Sequence, residues 1–272
     1  DIQLFLDVLR ALGQPEVALI EQASDGLLLL GANGEKLVEH YSFYAVFQTP
    51  EEYRLISGGK ELGTLPIDNM IAPGMLLIFS GRRWLVQEVL DRDRVIMVAP
   101  AKAGVPPIFG GDPGNIHDRV IERMFDVLEG QKRPIYLDAT ALLDEARSNY
   151  SQMQFDPGRI AQLSDNAAVI ATKTGSVRTT TLALALRANG FTVQTHDGFL
   201  EVFGKDESPG LIDALSTLVD GKEVNLFAHS PNLLFEKFHP YLTEDLLQKD
   251  ALSARLDANG LTDLCRSIKG NG

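Results

Sequence analysis

The stretch IAPGMLLIFSGRRWLVQEVLDRDRVIMVAP, residues 71–100, carries the strongest strand pattern in the chain. Its short apolar or alternating runs at 75–79, 84–89 and 95–98 are separated by one turn that contains glycine and one turn of charged residues. Runs of this length between such turns are typical of antiparallel strands. The stretch therefore predicts a three-stranded antiparallel meander.

Similar runs precede the meander and extend the predicted sheet. The additional strands are predicted at residues 43–47, 53–57 and 61–65. A stretch rich in proline and glycine, residues 104–114, ends the sheet because these residues break both strand ladders and helices. The sequence thus predicts one all-antiparallel β domain over residues 43–114.

The first turn of the meander carries two arginines and the only tryptophan, Arg82, Arg83 and Trp84. Arginine beside an exposed aromatic ring can hold a phosphate while the ring stacks on a base, so this turn is a candidate nucleic-acid-binding site. In the alternative, Trp84 packs in the sheet core and the arginines are solvated turn residues. The second turn, residues 91–94, is interpreted as a solvated cluster of alternating charges.

The residues before the predicted sheet have the pattern of a partial winged helix. Apolar residues at helical spacing predict a helix over residues 2–12. The pair Asn33-Gly34 is a hairpin signal, so residues 27–30 and 36–41 are predicted to pair as a ribbon. A helix followed by a ribbon is the back half of a winged helix, here residues 1–42. Residue 1 is not methionine and begins the helix directly, which predicts that the chain is a piece of a longer protein.

Helices are predicted to dominate the remainder. The predicted helices are 115–128, 138–150, 178–188, 211–219 and several segments between 233 and 268. A buried strand is predicted at 167–171, and a hairpin at 192–195 with 199–203. We therefore expect an α+β chain whose third domain, residues 115–272, is mixed α/β with a helical C-terminus.

The segment TKTGSVRTTTL, residues 172–182, lies between a predicted strand and a predicted helix. Gly175 would let a ligand approach the backbone, and the free N–H groups of a helix start attract anions. Lys173 and Arg178 add positive charge, so the segment is a candidate phosphate cradle for a nucleic-acid backbone. In the alternative, it is an ordinary helix start whose hydroxyl side chains satisfy the backbone donors.

Composition and missing motifs narrow the classes of function. The formal net charge of −12 repels phosphate at long range, so any nucleic-acid contact must be local or be assisted by a basic module. The sequence has no signal-peptide pattern and no apolar run long enough to span a bilayer, and its single cysteine, Cys265, fits a reducing compartment. We therefore expect a cytoplasmic protein without a membrane partner. No nucleotide-hydrolysing loop, zinc-binding His pair or serine nucleophile motif is present, which predicts no catalytic residue and no metal in this chain.

Seven stretches resemble, in order, the C-terminal part of the large helicase-related (Lhr) group of superfamily 2 DNA helicases. They are DGLLLLGANGEKLVE, YAVFQTPEEYRLISGGKELGTLPI, GMLLIFSGRRWLVQEV, PPIFGGDPGNIHDRVIERM, YLDATALLDEAR, GSVRTTTLALALRANGF and LLFEKFHPYL. The PPIFGG, HDRV and YLDATA stretches are most similar to the ligase-associated DEXH-box branch. The resemblance implies a winged-helix remnant followed by a DEAD/H-associated domain, which in that family follows two RecA-like motor domains.

The resemblance further implies a non-catalytic, DNA-contacting accessory region of an ATP-dependent helicase acting in DNA repair. It would guide single-stranded DNA for motor domains that translocate 3′ to 5′ and that hold the ATP and magnesium, with no cofactor in this chain. Six residues would contact the nucleic acid: Arg82, Arg83, Trp84, Lys173, Gly175 and Arg178. The implied partners are single-stranded or tailed duplex DNA, the motor domains of the same protein, and a repair nuclease or ligase.

A second interpretation belongs to another class of function. The chain would be a protein-interaction or oligomerisation scaffold of the helicase without direct DNA contact. The net charge of −12 and the acidic residues Glu35 and Glu39 of the predicted ribbon favour it. Salt-dependent binding to single-stranded DNA distinguishes the two interpretations, because only the first predicts binding.

Overall fold

A computed structural model of the chain describes residues 1–45, 52–67, 70–101, 115–130, 140–155, 158–204 and 210–270. In this part the protein is α+β, with helices, antiparallel sheets and one mixed sheet. The predicted loop at 104–114, part of the predicted strand at 43–47 and the first residues of the predicted helix at 138–150 lie outside the described residues. No helix in the described ranges is both long enough and apolar enough to cross a membrane.

The N-terminal unit, residues 1–45, is built from two helices and a two-stranded sheet. Its elements are α1 (Ile2–Leu12), β1 (Ile20–Gln22), β2 (Leu28–Leu30), α2 (Ala32–Glu39) and a 3-10 turn (Tyr41–Tyr44). The prediction of α1 is confirmed, and the Asp1 side chain caps the helix by accepting from Gln3 N at 2.9 Å.

The predicted ribbon around Asn33-Gly34 is wrong. Strand β2 pairs with β1, which precedes it, and Asn33 and Gly34 lie in the first turn of α2. Gly34 is required by packing, because a Cβ at this position would lie 2.0 Å from the Leu19 carbonyl oxygen. Asn33 Nδ2 donates to Val17 O at 3.1 Å. The pair therefore fixes α2 against the preceding loop and does not form a hairpin turn.

The five-stranded sheet contains the predicted meander. Its strands are β3 (Glu52–Ser57), β4 (Lys60–Pro66), β5 (Leu76–Phe79), β6 (Arg82–Leu90) and β7 (Val95–Pro100), in the order β4-β3-β7-β6-β5. The antiparallel pairing of β5, β6 and β7 confirms the meander. The prediction of an all-antiparallel sheet is wrong, because β3 runs parallel to β7 with Arg54 opposite Val95. β4 and β5 are the two edge strands, so the β3-β4 hairpin and the β5-β6-β7 meander meet at β3 and β7.

The C-terminal part contains an antiparallel four-stranded sheet covered by helices. Its strands are β8 (Ile160–Ser164), β9 (Ala167–Ala171), β10 (Thr192–His196) and β11 (Phe199–Phe203), in the order β10-β11-β9-β8. Its helices are α3 (Asp118–Leu128), α4 (Thr140–Gln152), α5 (Ser176–Ala188), α6 (Leu211–Val219), α7 (Glu244–Ala254) and α8 (Leu261–Lys269). Strand β8 was not predicted. The sheet is antiparallel throughout, so the expected mixed α/β arrangement is corrected to α+β.

Helix α5 is the centre of the C-terminal core. Leu182, Leu184 and Leu186 are buried although they are two residues apart, because α5 is covered on more than one side. It packs on β10 of the four-stranded sheet and on α8. Residues 181–187 of α5 are all buried, so this part of the helix lies in the interior of the C-terminal part.

The turn at residues 91–94 is a docking element and not a solvated charge cluster. The carboxylate of Asp91 accepts the backbone N–H groups of Leu233 and Leu234 at 2.6 and 2.9 Å. Arg94 Nη1 donates to Leu234 O at 2.8 Å and lies 3.7 Å from Asp91 Oδ1. The buried hydroxyl of Tyr53 donates to Asp91. We call these contacts the Asp91 joint, and they fix the five-stranded sheet on the C-terminal part.

A second joint between the two sheets is made by Arg187, which is buried. Its Nη1 donates to Pro73 O at 2.8 Å and its Nη2 donates to Val193 O. Burial lowers the pKa of Arg187 to about 10. Gln194 adds bonds to Leu76 N at 3.4 Å and Gly74 O at 3.1 Å. Charged and amide donors thus satisfy the carbonyls of the turn that leads into β5.

Candidate functional site

The two predicted arginines of the meander do not form a turn. The turn consists of Ser80 and Gly81, which both have positive φ, and Arg82 and Arg83 are the first residues of β6. Successive side chains of a strand point to opposite faces. Arg82 is exposed and Arg83 is half-buried, so they lie on opposite faces of the strand and not side by side.

Trp84 lies in the core of the five-stranded sheet. Only 8% of its surface is exposed, and it belongs to the same apolar cluster as Leu55, Val86 and Ile96. Its indole Nε1 donates to Phe79 O at 3.3 Å, which satisfies the only polar atom of the side chain. Trp84 therefore packs in the sheet core, which is the alternative considered for the sequence, and neither face of its ring is available to stack on a base.

The predicted phosphate cradle is a helix start that the protein itself occupies. Gly175 N donates to Asp118 Oδ1 at 2.6 Å, and Ser176 N donates to Ile116 O at 2.9 Å. A Cβ on Gly175 would lie 2.2 Å from the Ile116 carbonyl oxygen. The glycine thus permits a close approach, as predicted, but the approaching backbone belongs to the segment before α3. These two N–H groups are not available to a phosphate.

Lys173 projects from the loop that joins β9 to α5. Its φ of +56° is unusual for a residue with a side chain. Thr172 N, next to it, donates to Gly198 O at 2.8 Å and helps to hold this backbone. The Lys173 ammonium forms an ion pair with Glu129 and lies 5.4 Å from the centre of the Phe125 ring. Residues with strained backbones cluster at functional sites, and the contacts described above hold Lys173 in this conformation.

Arg178 lies in the first turn of α5 and bridges two acidic side chains. Its Nε is 3.1 Å from Asp257 Oδ2, and its Nη1 is 3.9 Å from Asp118 Oδ2. About a third of each of these side chains is exposed, so water weakens both ion pairs. Arg178 is therefore partly neutralised but still reaches solvent.

Arg159 is a third cation beside these two, and the sequence patterns did not indicate it. It is half-buried, its Nη1 donates to the neutral acceptor Thr172 O at 2.7 Å, and the nearby Glu129 carboxylate stabilises its charge. Burial lowers the pKa of Arg159 from its ordinary value, and the nearby Glu129 carboxylate acts in the opposite direction. The residue lies directly before β8, so recognition of that strand would have placed Arg159 beside β9.

These three cations line one cleft of about 360 Å³. The cleft is bounded by Glu122, Phe125, Asp126, Glu129, Arg159, Lys173, Thr174, Arg178, Asp263, Leu264 and Ser267. Two of the six predicted binding residues, Lys173 and Arg178, lie on its wall, and Gly175 follows the lining residue Thr174. Arg82, Arg83 and Trp84 are on the five-stranded sheet and are not part of this cleft.

The cleft carries side chains of both charges. Four carboxylates and three cations line it, so a small anionic group would meet several donors but no overall positive charge. Within the described ranges, no three His, Cys, Asp or Glu side chains are grouped in a way that could hold a metal ion. Cys265 is buried beside the cleft residue Leu264, and burial raises its thiol pKa to about 12, which makes it a poor nucleophile.

Comparisons with known proteins add no assignment to this geometry. No family model, no curated protein and no solved structure matches the chain.

Proposed function

We propose that this chain is a non-catalytic accessory region of an ATP-dependent DNA helicase, and that its cleft holds a phosphate of single-stranded DNA. The observation that carries the proposal is the convergence of Arg159, Lys173 and Arg178 on one cleft. The resemblance to the large helicase-related group supplies the context of motor domains, DNA repair and a partial winged helix before a DEAD/H-associated domain.

The three cations offer different kinds of contact to a phosphate. Arg159 donates to a backbone carbonyl, and the Glu129 carboxylate is close enough to stabilise its charge. Lys173 and Arg178 are each held by carboxylates, which position them without saturating their donors. Guanidinium groups suit phosphate because they can donate two parallel hydrogen bonds.

The acidic residues of the cleft restrict what can enter. Glu122, Asp126 and Asp263 repel a polyanion lying along the cleft, whereas a single phosphate can reach the cations. The proposed contact is therefore local, which agrees with the net charge of −12. Stable binding of DNA would depend on additional contacts, such as those of the motor domains.

The proposal is tested by fluorescence anisotropy of the chain with labelled single-stranded DNA over a series of salt concentrations. We expect weak binding whose log K falls linearly with log salt. Arg159→Gln and Lys173→Gln should each weaken binding and reduce the salt slope by about one phosphate contact. Arg54→Gln is the matched control, because Arg54 is a half-exposed arginine paired with Glu61 on the five-stranded sheet.

Two results would contradict the proposal. One is that the chain does not bind single-stranded DNA even at low salt, which would favour the scaffold interpretation. The other is that Arg54→Gln weakens binding as much as Arg159→Gln, which would show that the cleft is not the contact.

A further inference from the structure

The N-terminal unit has almost no core of its own. Ala11 and Leu19 are its only buried apolar residues, whereas ten of the nineteen large apolar residues exposed among the described residues belong to it. These ten are Ile2, Leu4, Phe5, Leu6, Leu27, Leu28, Leu29, Leu30, Tyr41 and Tyr44. Concentrated exposure of this kind marks an interaction surface, whereas scattered single residues would not.

Helix α1 presents an uncovered apolar face. Ile2, Phe5 and Leu6 have helical spacing and share one side, and their exposed fractions are 80%, 60% and 38%. The helix has eleven residues, which is too short for a helix to be stable alone in water. Its apolar face therefore requires a covering surface.

The small sheet of this unit is equally open. Its two strands have three residues each, and all three leucines of β2 are exposed. An isolated two-stranded ribbon is marginally stable at best. The register places Glu21 opposite Leu29, so an acidic side chain stands beside this leucine on the same face.

The charge of the unit identifies the chemistry of its partner. Residues 1–45 contain seven acidic and two basic residues, and one of the basic residues, Arg10, is paired with Asp7 at 3.0 Å. A second copy of the chain would bring two negative surfaces together, and an anionic membrane would be repelled as well. A protein surface with a basic edge would be attracted.

We infer that the N-terminal unit docks on a partner protein whose contact surface is apolar at its centre and carries lysine or arginine at its edge. Phe5 and Leu29 are the apolar anchors of this contact, and Glu21 pairs with the basic edge. The unit is already tied to the rest of the chain, because Lys237 Nζ donates to Phe43 O at 2.9 Å. The inference concerns residues distinct from the cleft and does not rest on the proposed DNA contact.

The probes are two synthetic amphipathic helical peptides that share a leucine face and differ in the opposite face, which is lysine in one and glutamate in the other. Isothermal titration calorimetry of the whole chain should show binding of the lysine peptide only. The variant Phe5→Ser/Leu29→Ser should bind it roughly tenfold more weakly or worse, from the apolar area lost. Leu163→Ser is the matched control, because Leu163 is an exposed leucine, 55% accessible, in β8. All three positions are exposed, so the variants should fold.

Four outcomes would overturn the inference. Equal binding of both peptides would show that charge does not select the partner, and unchanged binding by Phe5→Ser/Leu29→Ser would show that the peptide binds elsewhere. Sedimentation velocity that reveals a dimer dissolved by this variant would assign the surface to a second copy. Binding to neutral phosphatidylcholine vesicles, lost in the variant, would assign it to lipid. The variant should keep the DNA affinity of the unmodified chain, which separates this inference from the proposed function.

Discussion

Replacement of Asp91 by alanine should loosen the five-stranded sheet from the C-terminal part. Asp91 accepts the N–H groups of Leu233 and Leu234, and its partner Arg94 lies 3.7 Å away. The side chains of Asp91 and Arg94 are only 18% and 17% exposed. The substitution therefore leaves two backbone donors without their acceptor and removes the carboxylate that faces the Arg94 cation in a largely buried place.

The expected cost can be worked from these contacts. A hydrogen bond to a charged group contributes about 1.5–3 kcal/mol, and removal of one partner of a buried ion pair costs about 3–5 kcal/mol. Because these contributions overlap, we expect Asp91→Ala to lower the free energy of unfolding by about 3–5 kcal/mol. That is a large fraction of the total stability of a typical protein, about 5–15 kcal/mol.

Urea unfolding followed by tryptophan fluorescence is the appropriate assay, because the only tryptophan lies in the five-stranded sheet. Asp93→Ala is the matched control. Asp93 has the same chemistry in the same turn but is exposed, so its replacement should change stability by no more than about 0.5 kcal/mol. A loss below about 1 kcal/mol for Asp91→Ala, or equal losses for both variants, would refute the reasoning.

Three further predictions concern the core, the helix start and alkaline pH. Trp84→Ala should destabilise the protein by about 3–5 kcal/mol in urea unfolding, since the indole is buried, and should leave DNA affinity unchanged at low urea. Gly175→Ala should cost about 1–3 kcal/mol, because its Cβ would meet a backbone oxygen at 2.2 Å. Burial and Asp91 raise the pKa of Tyr53 above its ordinary value of 10.0, so stability should fall as pH rises above about 10, where only the unfolded phenol ionises. Urea midpoints measured below and above that pH should show this fall, and Tyr53→Phe should reduce it.

Each of these expectations has a definite contrary result. If Trp84→Ala had normal stability but had lost DNA affinity, the indole would have to contact DNA, as the sequence predicted. Alanine is compatible with the φ of −70° at position 175, so the only expected cost is the clash with the segment before α3. Unchanged or increased stability of Gly175→Ala would mean that this segment moves aside at little cost. An alkaline loss of stability as large in Tyr53→Phe as in the unmodified chain would assign the effect to other groups.

Local patterns predicted the elements that depend on local sequence. The β5-β6-β7 meander, α1 and the hairpin of β10 and β11 follow from apolar periodicity and from turns of short length. The parallel pairing of β3 with β7 could not be predicted from local patterns. Its paired residues, such as Arg54 and Val95, are distant in sequence, and apolar periodicity does not indicate the order of strands in a sheet. The pair Asn33-Gly34 wrongly predicted a hairpin, because the glycine is required by close packing on the Leu19 carbonyl oxygen and not by a turn.

At the candidate site, too, the predictions were right where they depended on local sequence and wrong where they depended on distant residues. Gly175 was identified for a correct local reason, close backbone approach, but sequence could not reveal that the approaching chain is Ile116. The turn at 91–94 was interpreted as solvated because its acceptors and donors lie about 140 residues away. Arg159 was missed with the strand that follows it. Binding of nucleic acid by the cleft stays a prediction.

The Asp91 joint has a consequence for synthesis of the chain on the ribosome. Its two halves are separated by 142 residues, so the five-stranded sheet emerges long before the segment that it docks on. At roughly 5–20 residues per second, the Asp91 carboxylate and Arg94 wait about 7–28 s for their partners. During that interval the sheet must persist on its own apolar cluster, or be held by a chaperone. Slow codons between the two halves would lengthen this exposed interval and lower the yield of folded protein.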